Sequence, residues 1–210
     1  MHYLHAVKGT PLGGFAVLRL PDGETVRIDR QSSIHAPLWF ARLAVARVPW
    51  RDLLPCGLVP IPDAGCSLAA NRPSRTWGLA EALASELGPD AAAVDLLRWV
   101  RPMLPAHVVE DSRDPQVLYG RVRLRDRWQH VRDQRVVLVD DVVASGAHVR
   151  ATATFLRDCG ATVLCAVCAA RACNGVAPDA SFLSPWTHLF PDFYSDPDWL
   201  LPEVYDGVML

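Results

Sequence analysis

Arg135-Val136-Val137-Leu138-Val139-Asp140-Asp141-Val142-Val143-Ala144-Ser145-Gly146-Ala147-His148 is the stretch whose reading decides the fold. Its four consecutive apolar residues, three of them β-branched, predict a strand buried on both faces, as in a parallel sheet. Two carboxylates stand where that strand is expected to end, and a loop of small residues follows. A helix is then expected from Ala147 to about Cys159, with Val149, Ala153 and Leu156 as its apolar stripe and Gly160 as its stop. The run Thr162 to Ala170 predicts a further strand, which completes a βαβ unit. Open α/β sheets bind their ligands at the carboxyl ends of strands, in loops like this one.

Upstream, Gly57-Leu58-Val59-Pro60-Ile61-Pro62-Asp63-Ala64-Gly65 reads as a short buried strand opening into a loop, since the prolines suit a strand end. The segment Asn71-Arg72-Pro73-Ser74-Arg75 leads to a helix over Thr76 to Leu87, with Thr76 able to cap it and Gly88-Pro89 stopping it. Val94 to Val100 predicts a strand, and Arg121 to Trp128 alternates so strictly that a strand would place Arg121, Arg123, Arg125 and Arg127 on one face. Before all of this lie a β-hairpin around Pro21-Asp22-Gly23 and a helix over Ala36 to Leu54 that Pro49 should bend or split. From Asn174 on, the chain is rich in Pro, Asp and aromatics, including Trp186, Phe190, Phe193 and Tyr194.

The 210 residues, half of them hydrophobic, suit one domain: an N-terminal hairpin and helix (1–55), a core (56–173) and a C-terminal segment (174–210). A net charge of −2 argues against a global electrostatic binder of nucleic acid or membrane. Lys8 is the only lysine, which removes lysine as a catalytic candidate almost everywhere. Neither a signal-peptide pattern nor an apolar run long enough to span a bilayer is present, so a cytoplasmic, reducing location is expected. The six cysteines then read as thiols. Cys165 and Cys168 have half a zinc spacing, but residues three apart in a strand face opposite sides, and no zinc is expected.

Chemistry concentrates at Asp140 and Asp141. Ionised carboxylates accept hydrogen bonds from vicinal ribose hydroxyls and hold Mg²⁺ directly or through water. The amides of Ala144, Ser145, Gly146 and Ala147 can converge on an anion at the positive end of the following helix. Diol acceptors beside a phosphate cradle describe a ribose 5-phosphate site. Taken alone, the same residues also fit an ordinary strand-to-helix turn.

The longer pattern (four apolar residues, Asp-Asp, two apolar residues, Ala-Ser-Gly) resembles the phosphoribosyl pyrophosphate (PRPP) motif of type I phosphoribosyltransferases. Val59 to Pro62, the Arg72–Arg75 segment and the helix that follows resemble the first half of the ComF-like branch of that family. The resemblance covers about residues 57 to 170. It implies an α/β fold with a central, mainly parallel sheet flanked by helices, the N-terminal hairpin and helix, and a small C-terminal hood. In that family the loop after the first strand contacts pyrophosphate, here through the Asp63 and Ala64 amides, with Arg72 and Arg75 assisting. His148 stands where the family usually has Thr or Ser, and it can donate to phosphate or turn into solvent. The zinc ribbon that precedes many ComF-like domains is missing. By position, the resemblance makes the arginines at 121 to 127 a lid over PRPP in preference to a solvated edge strand or a polyanion contact; the C-terminal aromatics correspond to the hood that supplies the acceptor pocket in this fold, or simply seal a small subdomain or a dimer contact.

The activity so implied is Mg²⁺-dependent transfer of the 5-phosphoribosyl group of PRPP to a nitrogenous acceptor of the nucleobase class, by a homodimer in the usual family manner. Asp140 and Asp141 are the expected metal and ribose ligands, residues 144 to 148 the phosphate loop, and Arg121 and Arg123 lid contacts. The rival is a non-catalytic protein on the same fold that senses PRPP or a nucleotide, or that serves DNA uptake.

Overall fold

The computed structural model describes residues 2–70, 72–103, 114–125 and 131–171. The expected hood (174–210) with its aromatics, Arg127, Trp128 and Cys173 lie outside the described residues. The chain begins with a helix the sequence pattern did not announce, α1 (His2–Val7), which buries Ala6 and Val7. The hairpin follows as β1 (Ala16–Arg19) and β2 (Thr25–Ile28), paired from Ala16↔Ile28 to Arg19↔Thr25. Gly23 supplies the positive φ (+88°) that closes its turn. Pro49 splits the next helical stretch into α2 (Ala36–Arg47) and the single turn α3 (Trp50–Leu53). Across that break the Trp50 indole N–H donates to the Ala44 carbonyl at 3.0 Å.

The core elements are β3 (Cys56–Pro60), α4 (Trp77–Leu87), β4 (Ala91–Ala93), β5 (Leu97–Trp99), α5 (Pro115–Arg121), β6 (Val122–Leu124), β7 (Arg135–Val143), α6 (Ala147–Asp158) and β8 (Thr162–Arg171). Four of the strands form a wholly parallel sheet in the order β4-β3-β7-β8. The chain runs outward from β3 to β4 and then returns to place β7 on the other side of β3. The strand order therefore reverses between β3 and β7, and such a switch point opens a crevice at the carboxyl ends of the two strands.

Alternation along β7 builds both layers. Val137 and Val139 pack with Trp39 and Phe40 of α2, Leu79 and Leu83 of α4, Val7 of α1, and Leu20 and Ile28 of the hairpin region. Val136 and Leu138 pack with Val149, Ala153 and Leu156 of α6 and with Trp99, Leu118 and Val122. Burial on both faces is why the run carries no polar residue until Asp140. Each such side chain, fully buried, contributes roughly 1.5–3 kcal/mol.

Four local expectations change. The strand does not end before the carboxylates: β8 continues alongside it, pairing Asp140 with Cys168 and Val142 with Ala170, so both aspartates sit within β7. Val94 to Val100 is not one strand. β4 ends at Ala93, and β5 leaves the sheet to form an antiparallel ribbon with β6, Leu97↔Leu124 to Trp99↔Val122. The arginine-rich run is likewise not one strand. Asp114 accepts from the Gln116 N–H at 2.8 Å and Pro115 opens α5, which extends to Arg121; among the described residues of the run, Val122 to Leu124 form the strand. Helix α4 ends as expected at Gly88 (φ +81°), but Thr76 does not cap it, because its hydroxyl donates to the Ile61 carbonyl instead. Among the described residues no helix is long and apolar enough to cross a membrane.

Candidate active site

The loop that leaves β3 is organised by one carboxylate. Asp63 receives Arg72 in a two-pronged pair (Nη2 to Oδ1 2.8 Å, Nη1 to Oδ2 3.3 Å) and accepts from the N–H groups of Gly65 (2.9 Å) and Arg75 (2.8 Å). Burial alone would raise its carboxyl, but Arg72 and these amides hold it below the usual carboxylate range. A side chain at Gly65 would meet the Arg72 guanidinium and push it from its place beside Asp63. The buried hydroxyls of Ser74 and Thr76 both donate to the Ile61 carbonyl and are 2.8 Å apart, which ties the end of the loop to its start. Ser74 Oγ also accepts the Asp63 N–H at 2.9 Å. Of the two amides expected to face pyrophosphate, only that of Ala64 has no partner among the described residues.

Facing this loop are the carboxylates of β7. Asp141 is buried and pairs with the Arg75 guanidinium, so the two halves of the expected site meet in one ion pair. Asp140 accepts the Asp141 N–H at 2.8 Å. Burial and the neighbouring charge of Asp141 push its carboxyl well above the usual range, against the pull of Arg75 and Lys8. The same burial pushes up the thiols of Cys168, its partner on β8, and of Cys165, the latter to about 12.

Gly146 turns the chain after β7 with φ +76° as N-cap of α6, a conformation that favours glycine. Ala144 and Ser145 are exposed, Ala147 is buried, and Ser145 Oγ accepts the Ala147 N–H at 3.4 Å. His148 does not turn out into solvent but is half-buried. Its ring lies edge-on to Trp99, 5.7 Å between centroids, and burial lowers its pKa while Asp141 opposes the shift. The fully buried Trp99 in turn donates its indole N–H to the Pro62 carbonyl at 3.0 Å. Trp99 thus spans the two loops: the β3 loop hangs on its nitrogen and the β7 loop on its face.

Sequence reasoning missed Trp99, Ser74 and Asp95. Asp95 pairs with the buried Arg98 (Nη2 to Oδ2, 2.6 Å) and with Arg125, and Arg98 also donates to the Arg72 carbonyl at 3.4 Å. An aspartate three residues before an arginine was the available signal. Arg121 and Arg123 are exposed at the α5–β6 junction, and Arg123 donates to the carbonyl of Val122. Arg125 is turned to Asp95.

The model of the phosphoribosyl transferase domain matches residues 77–194, more than half of the chain. The chain belongs to the phosphoribosyl transferase domain family. The crystal structure of Mycobacterium tuberculosis H37Rv orotate phosphoribosyltransferase in complex with Fe(III) dicitrate is similar at 14% identity and a TM-score of 0.36, over 81% of this chain and 85% of that one. No curated protein matches. For this family member, the carboxylate pair is also the place to test Mg²⁺. Among the described residues no three His, Cys, Asp or Glu side chains gather to cage a metal. Two adjacent hard-oxygen donors, one resisting ionisation beside the other, fit a cation that arrives with phosphates and keeps its waters.

Proposed function

We propose that this chain transfers the 5-phosphoribosyl group of PRPP to a nitrogenous acceptor of the nucleobase class, releasing pyrophosphate, as a type I phosphoribosyltransferase of the ComF-like branch. The observation that carries the reading is the Arg75–Asp141 pair, which joins a cation-bearing loop to a carboxylate strand at the β3/β7 switch point. In this reading Asp140 and Asp141 accept the ribose hydroxyls, and residues 144 to 148 hold the 5-phosphate at the start of α6. Arg72, Arg75 and the Ala64 amide face the pyrophosphate. Mg²⁺ held by Asp140 and Asp141, directly or through water, would supply charge neutralisation to the leaving group.

Displacement at the anomeric carbon develops positive charge on the sugar and negative charge on pyrophosphate. The chain's own work is therefore to fix one end of the donor and offer fixed positive charge to the other. The neutral imidazole of His148, held against Trp99, orients the loop rather than adding charge. Arg121 and Arg123, exposed at the α5–β6 junction, would approach bound donor from the ribbon side. We place the protein in the cytoplasm, as a homodimer.

Isotope-labelled PRPP with Mg²⁺ and a panel of bases tests this directly: base-dependent pyrophosphate release is expected, and none across the panel would overturn it. A second reading, PRPP or nucleotide sensing without turnover, draws on Asp63 and Asp141 already being saturated by arginines. Calorimetry showing PRPP binding in a protein that turns over no base would favour that reading.

A further inference from the structure

Lys8, the only lysine of the sequence, directly follows α1. The two residues before it, Ala6 and Val7, are buried in the core that also holds Val139 of β7 and Val167 and Ala169 of β8. Helix α1 packs on both of those strands. In the sheet register Val139 pairs with Val167, and the next rung is Asp140 with Cys168. The end of α1 thus comes over the carboxyl ends of β7 and β8, and Gly9 (φ +63°) then turns the chain away. Lys8 is half-buried and has no ion-pair partner among the described residues. The arginines around the site are committed: Arg72 to Asp63, Arg75 to Asp141, and Arg98 and Arg125 to Asp95.

From this placement we infer that Lys8 is a donor-binding residue, its ammonium meeting a phosphate oxygen of the sugar substrate from the β8 side, opposite Arg72 and Arg75 on the β3 side. The inference rests on the proposed function, since it needs a phosphorylated ribose between the two loops. An ammonium on a four-carbon stem acts as a movable point charge, suited to a phosphate oxygen whose position shifts as the leaving group departs.

The single ε-amine makes the test selective. The full chain, with Mg²⁺, is acylated by an amine-reactive ester alone and with PRPP, inorganic pyrophosphate or ribose 5-phosphate, and the Lys8 peptide is followed by mass spectrometry. Calorimetry under the same conditions reports whether PRPP binds. PRPP is expected to slow Lys8 acylation at least fivefold. Protection by pyrophosphate alone assigns Lys8 to the leaving group, and protection by ribose 5-phosphate alone assigns it to the 5-phosphate. Lys8→Gln should raise the Kd for PRPP about tenfold, the loss of one charge-assisted hydrogen bond, while Lys8→Arg recovers most of it. Both variants should melt with the parent. PRPP binding with no change in Lys8 acylation, or Lys8→Gln binding as tightly as the parent, overturns the inference and leaves the proposed function standing. If PRPP does not bind at all, both fall.

Discussion

Two aspartates one residue apart have opposite electrostatic situations. Asp141 is 8% exposed and has Arg75; Asp140 has its neighbour's charge and a backbone amide. The folded chain therefore holds a proton on Asp140 that the unfolded chain releases near the ordinary carboxylate pKa of about 3.9. Stability contributed by that proton falls as pH rises from the unfolded pKa through the raised folded one, and the cost is fully present above it. Metal-free Asp140→Asn keeps an acceptor for the Asp141 N–H and removes the charge. It should melt about 2–4 °C above the parent at pH 7.5, equivalent to about 1 kcal/mol, with the gap closing toward pH 4. A melting point at or below the parent's at pH 7.5 would refute this. Arg75→Ala should act the other way. Because Arg75 is itself 45% exposed, the cost should be about 1–2 kcal/mol in a urea titration, below that of a fully buried pair. At this scale the sequence was legible in residue type and not in partnership. Asp-Asp before Ala-Ser-Gly pointed to the right place, but nothing local says that Asp63 spends its carboxylate on its own loop or that His148 rests on an indole 49 positions away.

Among the elements, those set by an uninterrupted period or a clear stop were readable: the hairpin, α4 up to Gly88, and the β7–α6–β8 unit. The failures share a cause. Both Val94–Val100, read as one strand from its apolar residues, and Arg121–Trp128, read as one from its alternation, carry charges that tertiary structure brings together. Asp95 takes Arg98 and Arg125 where β5 leaves the parallel sheet for the ribbon with β6, so the pairs tie the two ribbon strands together. An alternation of arginines says nothing about whether one of them has a buried partner across the fold. The Arg98 side chain is 4% exposed and that of Arg125 is 34% exposed, so their dependence on Asp95 differs. Asp95→Ala leaves a guanidinium uncompensated in the interior and should cost about 3–5 kcal/mol, whereas Arg125→Ala should cost about 1 kcal/mol. Equal losses in parallel denaturant titrations would show that the ribbon is held by its apolar contacts alone.

For the molecule as a whole, the N-terminal third is where sequence reading found no chemistry, and the packing shows why it is nevertheless part of the site. Phe40, fully buried on α2, belongs to the same core as Leu58 of β3, Val137 and Val139 of β7 and Leu83 of α4. The face of the sheet that carries Val139 toward Asp140 is thus roofed by residues from 6 to 50, and the switch-point crevice has no rigid floor without them. One shared core predicts one cooperative unit. Amides at the centre of α2 and at the centre of β7 should exchange hydrogen with the same opening free energy. Phe40→Ala removes a ring from that core and should lower both by the same amount, about 3–5 kcal/mol. If the α2 amides lose protection while those of β7 keep theirs, the N-terminal part opens by itself and its hold on the carboxylate strand is local. Coincident loss would instead mean that any change in the hairpin or in α2 is felt at Asp140 through Val137 and Val139, so that donor affinity should fall in step with global stability across substitutions in residues 6–50.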